Sequence, residues 1–158
     1  PIPVIQRGFG GAKINDVAHF SERLVAAPTP RAIVVFAGSN DIQPGDTKDA
    51  QTILASFQAF IRRARAVHPA IPVYYIAITP SPLRWEAWPT AQAANALIED
   101  YTASQPGLHF IDTTAALLAA DGTPDPANYR FDKLHLSGAG YAAWKGVIRP
   151  RLLADFPH

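Results

Sequence analysis

The run Ala32-Ile-Val-Val-Phe-Ala37 narrows the folds open to this chain more than any other stretch. Six apolar residues in a row, centred on Ile33, Val34 and Val35, fit a strand covered on both faces, as parallel sheets require. Val73–Ile78 and Leu108–Ile111 repeat the pattern. Between them lie stretches with apolar residues at helical spacing. One runs over Asn15–Val25, carrying Val17, Phe20, Leu24 and Val25, and is stopped by Pro28 and Pro30. A second runs over Thr47–His68, with Ile53, Leu54, Phe57, Phe60, Ile61, Ala64 and Val67 on one stripe. A third runs over Thr90–Ser104 with Ala94, Leu97, Ile98 and Tyr101 inward, and a short one over Thr114–Ala120. The last begins at the cap Ser137 and is expected to bury Tyr141, Trp144, Val147, Ile148 and Leu152. Val4–Gln6 reads as the end of a further strand. Strands alternating with helices, with no repeat and no linker, predict one α/β domain over residues 1–158. It should be a three-layer α/β/α arrangement on a mostly parallel sheet.

Ligands of such folds bind beyond the carboxyl ends of the strands. Three segments fall in such loops and are expected to converge: Gly8–Gly11, Gly38–Asp41 and Asp132–His135. The bulk composition excludes several partners. The 158 residues are 48% hydrophobic and 17% charged, as in a globular chain, and the net charge of +1 offers no footprint for nucleic acid. There is no cysteine, so thiolate chemistry and cysteine-based zinc sites are absent, and the compartment stays open. No apolar run approaches the ~20 residues of a membrane span. No histidine–carboxylate cluster has metal-ligand spacing, and no cofactor is expected.

Each of the three segments has more than one reading. Gly8-x-Gly10 suggests a dinucleotide fingerprint, but Lys13 stands where the third glycine is needed and no acidic residue follows at the required distance. A plain tight turn remains, or a backbone N–H donor that a tetrahedral oxyanion can approach closely. Gly38-Ser-Asn-Asp41 is good turn chemistry, with Gly38 and Asp41 supporting the loop. Asn40, just past a buried strand, also suits a side-chain oxyanion donor. Asp132 and His135 are either a capping aspartate with a loop histidine, or a buried carboxylate that holds one imidazole nitrogen and frees the other to take a proton. His19, His68, His109 and His158 lack such a setting and read as structural.

Arg7-Gly-Phe-Gly-Gly11, then Gly38-x-Asn-Asp41, then Asp132-x-x-His-Leu136, in that order, resembles the SGNH/GDSL hydrolase family. The resemblance extends to Ile76–Trp85, Ala94-Asn-Ala-Leu97, Phe110-Ile-Asp112 and Leu134–Tyr141, and so covers almost the whole chain. It implies a flavodoxin-like sheet and a serine esterase, of the GDSL-like lipase/acylhydrolase branch, acting on a small acyl-ester substrate. By similarity, His135 would be general base and then acid, and Asp132 would orient it. Gly11 and Asn40 would stabilise the oxyanion, and Arg84 and Trp85 would line a substrate pocket.

One part of the family pattern is missing. The family opens on a serine block at the end of its first, central strand, and none of Ser21, Ser39, Ser56, Ser81, Ser104 and Ser137 occupies that place. The chain opens on Pro1-Ile-Pro-Val and contains no methionine. The domain is therefore expected to be incomplete at its N-terminus, its central strand and serine supplied from upstream of residue 1 or by a second chain. The alternative is a catalytically incomplete module that binds carbohydrate or ester ligands.

Overall fold

The computed structural model describes residues 3–27 and 29–157; the expected helix stop at Pro28 and the histidine His158 lie outside them. Three strands form a parallel sheet: β1 (Ile33–Val35), β4 (Val73–Ile76) and β5 (Leu108–Ile111), with β4 in the middle. Ile33 is opposite Val73, and Val73 opposite Leu108, so the three carboxyl ends are level. A two-stranded hairpin, β2 (Ile42–Gln43) and β3 (Asp46–Thr47), projects beyond the end of β1.

Helices lie on both faces. The helix α3 (Ala50–Val67) starts at Asp49, whose carboxylate accepts the N–H of Thr52. Its residues Ile53, Phe57, Phe60, Ile61 and Ala64 are all buried, and each large side chain contributes about 1.5–3 kcal/mol. Val67, at the helix end, is exposed. Beside it lies α4 (Trp88–Ala103), with Ala94 and Ile98 buried and Leu97 and Tyr101 half-buried. The opposite face carries α5 (Gly138–Asp155), capped by Ser137 through the N–H of Gly140. Successive strand residues point to opposite faces. Thus Tyr75 packs on Phe57 of α3, while Tyr74 donates a hydrogen bond to Asp155 of α5. Three layers follow from these contacts.

Several expectations change. The stretch Asn15–Val25 is two helices, α1 (Ile14–His19) and α2 (Ser21–Val25), because Phe20 leaves helical geometry at ψ 8°. Thr114–Ala120 holds only a 3₁₀ turn, Ala115–Leu117. Val4–Gln6 is not a strand, since no neighbouring strand reaches it and its side chains stand in solvent. β1 is buried on one face only: Val34 and Phe36 are 44% and 43% exposed. On the face they share, α5 lies mainly over β5 and the late loops, and meets the end of β1 through Trp144, whose ring packs edge-on against Phe36 at 4.7 Å. For the same reason Trp144, Val147, Ile148 and Leu152 are only half-buried, and Tyr141 is exposed.

Candidate active site

The Asp132–His135 turn is built by local hydrogen bonds. Oδ1 of Asp132 accepts the N–H groups of Leu134 and His135 at 3.0 and 2.9 Å. Oδ2 lies 2.8 Å from Nδ1 of His135. Lys133, with φ 59°, turns the chain so that the carboxylate meets the ring three residues on. The Leu134 N–H, then the His135 ring and N–H, pull the Asp132 carboxyl down to about 2. It is therefore ionised at neutral pH and can only accept, so Nδ1 is a ring nitrogen that carries a proton. Asp132 is one-third exposed rather than buried, because the turn lies at the surface and its backbone N–H groups do the holding. The His135 side chain is 68% exposed, open to a substrate.

The Gly38–Asp41 turn is set more deeply. Asp41 is fully buried and accepts the N–H of Ile14 and the ammonium of Lys48, each at 2.9 Å. Asp41 so ties the end of β1 to the start of α1, which follows the glycine-rich segment. Asn40 donates from Nδ2 to the carbonyl of Ala12 at 3.0 Å, next to Gly11. Gly11 itself is exposed, with φ 72°.

Arg84 is buried, in the 3₁₀ segment Pro82–Ala87 beyond β4. Its guanidinium donates to the carbonyl and hydroxyl of Ser39 and to Oδ1 of Asn40. Burial lowers its pKa. Trp85 is half-buried and stacks on Trp88 at 5.9 Å, joining the main core. Leu83 donates its N–H to the carbonyl of Lys133, and Tyr129 donates its hydroxyl to the carbonyl of Pro80. The end of β4 is completed by Asn95, whose amide exchanges two hydrogen bonds with the backbone of Ile78. A continuous chain of contacts thus joins Asp132–His135, through Leu83 and Arg84, to Asn40 and then to Ala12. The sequence pattern marked Arg84 and Asn40 separately; only the sheet brings them together, and no spacing rule would have paired them.

Among the described residues no serine hydroxyl is hydrogen-bonded to His135. Ser39 is held by Arg84, Ser56 and Ser104 bond to their own helix carbonyls, and Ser137 caps α5. Ser21 is buried inside α2, and Ser81 is buried before Pro82. Also among the described residues, no cluster of three or more metal-ligating side chains occurs, and no helix is long and apolar enough to cross a membrane. A groove of about 250 Å³ runs between β1 and the glycine-rich segment, lined by Ile5, Arg7 and Phe9 on one side and Val34 and Phe36 on the other.

The parallel α/β domain thus carries an aspartate–histidine pair and an asparagine amide beyond its strand ends. The chain belongs to the GDSL-like lipase/acylhydrolase family, whose model matches residues 1–143. Its fold is similar to solved structures of that kind. One is a GDSL-like lipase from Bacteroides thetaiotaomicron, with TM-score 0.79 and 21% identity over 94% of this chain and 75% of the other. Another is a carbohydrate esterase family 3 protein from Talaromyces cellulolyticus, with TM-score 0.76 and 23% identity over 91% and 68%. A third is a family 3 carbohydrate esterase from Clostridium thermocellum, with TM-score 0.68 and 16% identity over 91% and 68%. No curated protein matches the sequence.

Proposed function

We propose that this protein hydrolyses short acyl esters by acyl transfer, with His135 as general base and a nucleophilic serine carried on a segment outside residues 1–158. The observation that carries this reading is the His135 ring, held at Nδ1 by an ionised Asp132, with its side chain largely exposed and no hydrogen-bond partner on Nε2 among the described residues. Nε2 takes the serine proton as the serine oxygen attacks the ester carbonyl carbon. The carbonyl oxygen becomes an oxyanion, met by the Gly11 N–H, the Asn40 amide and the serine's own N–H. Collapse breaks the bond to the alcohol, which leaves with the proton from His135. Water then repeats the sequence on the acyl-serine and releases the acid.

The groove supports the place given to the serine. Among the described residues β1 is paired with β4 on one edge only, and its other edge borders the groove. A parallel strand laid there would pair with that edge and fill the groove beside Val34 and Phe36. It would end beside Ala12 and Asn40, where a serine turn has to sit. The family 3 carbohydrate esterases among the similar structures favour a short acyl group on a sugar hydroxyl, and the exposure of His135 leaves room for a bulky alcohol.

Fluorophosphonate labelling with peptide mapping, together with hydrolysis of an aryl acetate, tests this. The active protein should carry the label on a serine outside residues 1–158, and the 158-residue chain alone should take none. His135→Ala should lower kcat by roughly 10⁴ or more. A label on any of the six serines here, or full activity in His135→Ala, rejects the assignment. Ester binding without turnover in the protein with the segment present would leave a binding module instead.

A further inference from the structure

We infer that Arg84 is a positioning residue that sets the orientation of the Asn40 side-chain amide, and is not itself a substrate contact. The inference rests on the reading of Asn40 as an oxyanion donor. The two ends of the amide meet groups with no choice of role. Arginine can only donate, and it faces Oδ1 at 3.0 Å; the Ala12 carbonyl can only accept, and it faces Nδ2 at 3.0 Å. Turning the amide over would set donor against donor and acceptor against acceptor. One N–H of Nδ2 is thereby assigned to Ala12, the residue after Gly11, and the second has no hydrogen-bond partner among the described residues.

The cost of this arrangement argues that it has a purpose beyond folding. Arg84 is 8% exposed, and among the described residues it has no carboxylate partner. Its Nε is buried without a hydrogen-bond partner. A buried cation is expensive unless its environment compensates, and here Ser39 and Asn40 alone accept from it. A guanidinium on Oδ1 also draws electron density along the amide and makes the remaining Nδ2 proton a stronger donor. The planar fork matters, because Nη1 serves Ser39 while Nη2 serves Asn40; a lysine ammonium reaches as a single point. The Leu83 N–H bond to Lys133 places the same segment against the His135 turn, so one element aligns base and oxyanion donor.

The test compares Arg84→Lys and Arg84→Met in the 158-residue chain and in the active protein. The first readout is the Asn40 side-chain NH₂ pair in ¹⁵N–¹H spectra, identified by its loss in Asn40→Ala. In the parent the pair should be shifted away from the position of a free amide. In Arg84→Met it should move to that position, with the backbone spectrum otherwise preserved. Should Arg84→Met not fold, Arg84→Lys carries the same readout with the stem and charge kept. An unmoved pair in a folded variant overturns the inference, since Ala12 alone would then hold the amide. The second readout is kinetic. Arg84→Lys should lower kcat roughly 10- to 100-fold at unchanged KM, less than full loss of an oxyanion donor. Added to Asn40→Ala, it should cost at most about threefold more, because both act through one amide. Independent, multiplying effects overturn the inference while leaving the esterase reading intact. A fixed amide in a protein without turnover would do the reverse.

Discussion

The two loops that carry the candidate oxyanion donors are held in opposite ways. The Gly38–Asp41 turn is anchored at both ends, with Gly38 and Asp41 buried and Ser39 and Asn40 half-buried. Gly38 sits at φ 112°, and a Cβ there would lie 2.7 Å from Cδ1 of Ile78 and 3.1 Å from the Tyr75 hydroxyl. The Gly8–Gly11 segment is open, and a Cβ at Gly8, Gly10 or Gly11 would meet nothing within 4 Å. One donor is set by the tertiary structure in advance. The other lies along a groove at an unpaired strand edge, where a further strand would pack. Preorganisation in this site is therefore uneven: Asn40 is positioned by groups up to 44 residues away, Gly11 by its own backbone and by the Ala12 contact.

The largest effect expected from this contrast is on turnover. Asn40→Ala should lower kcat by roughly 10²–10³ with little change in KM, as steady-state kinetics on an aryl acetate will read. A loss below tenfold would mean that the tightly held loop is not the one that meets the oxyanion. Next in size is Gly38→Ala, which combines left-handed backbone strain with overpacking against a buried Ile78. It should destabilise the fold by about 2–4 kcal/mol in urea unfolding. Gly10→Ala, on the open segment, should change stability by less than about 0.5 kcal/mol. Equal costs at Gly38 and Gly10 would erase the distinction between the two loops.

The smallest expected effect is electrostatic and concerns the third segment. The folded-state pKa of Asp132, about 2, lies below the ordinary aspartate value of 3.8. Its stabilising contribution is therefore complete above the unfolded value and is lost as pH falls through the folded one. The stability difference between the parent and Asp132→Asn should be constant from pH 5 upward and shrink between about pH 4 and 2. A difference that grows in acid would contradict the hydrogen-bonded carboxylate.

Much of this was legible in the residues because its causes are local. Asp49 and Ser137 start helices by bonding N–H groups three residues on, and Asp132 reaches His135 across the same interval. The alternation of apolar runs and amphipathic stretches needs nothing but the side-chain periods to predict parallel strands between helices. The family motifs added roles to Gly11, Asn40 and His135, and the chain's membership of the family bears out the resemblance.

What the residues could not supply depends on neighbours. Val4–Gln6 has strand-like composition, but a strand exists only where a partner exchanges hydrogen bonds with it. The exposure of Val34 and Phe36 has the same origin, since burial of a β face is a property of what lies beside it. From the sequence Asp41 is expected to support its loop, but its partners, Ile14 and Lys48, and its complete burial come from the tertiary structure. Arg84 looked like a pocket residue, and the sheet turns it onto Ser39 and Asn40 instead. The sequence by itself determined the three parallel strands, the long helices between and after them, their order and the Asp132–His135 pair, because those are settled within a few residues of chain. Only the tertiary structure decided which loop is rigid, which edge is open and what holds the Asn40 amide, because those contacts are made across strand ends by residues distant in sequence.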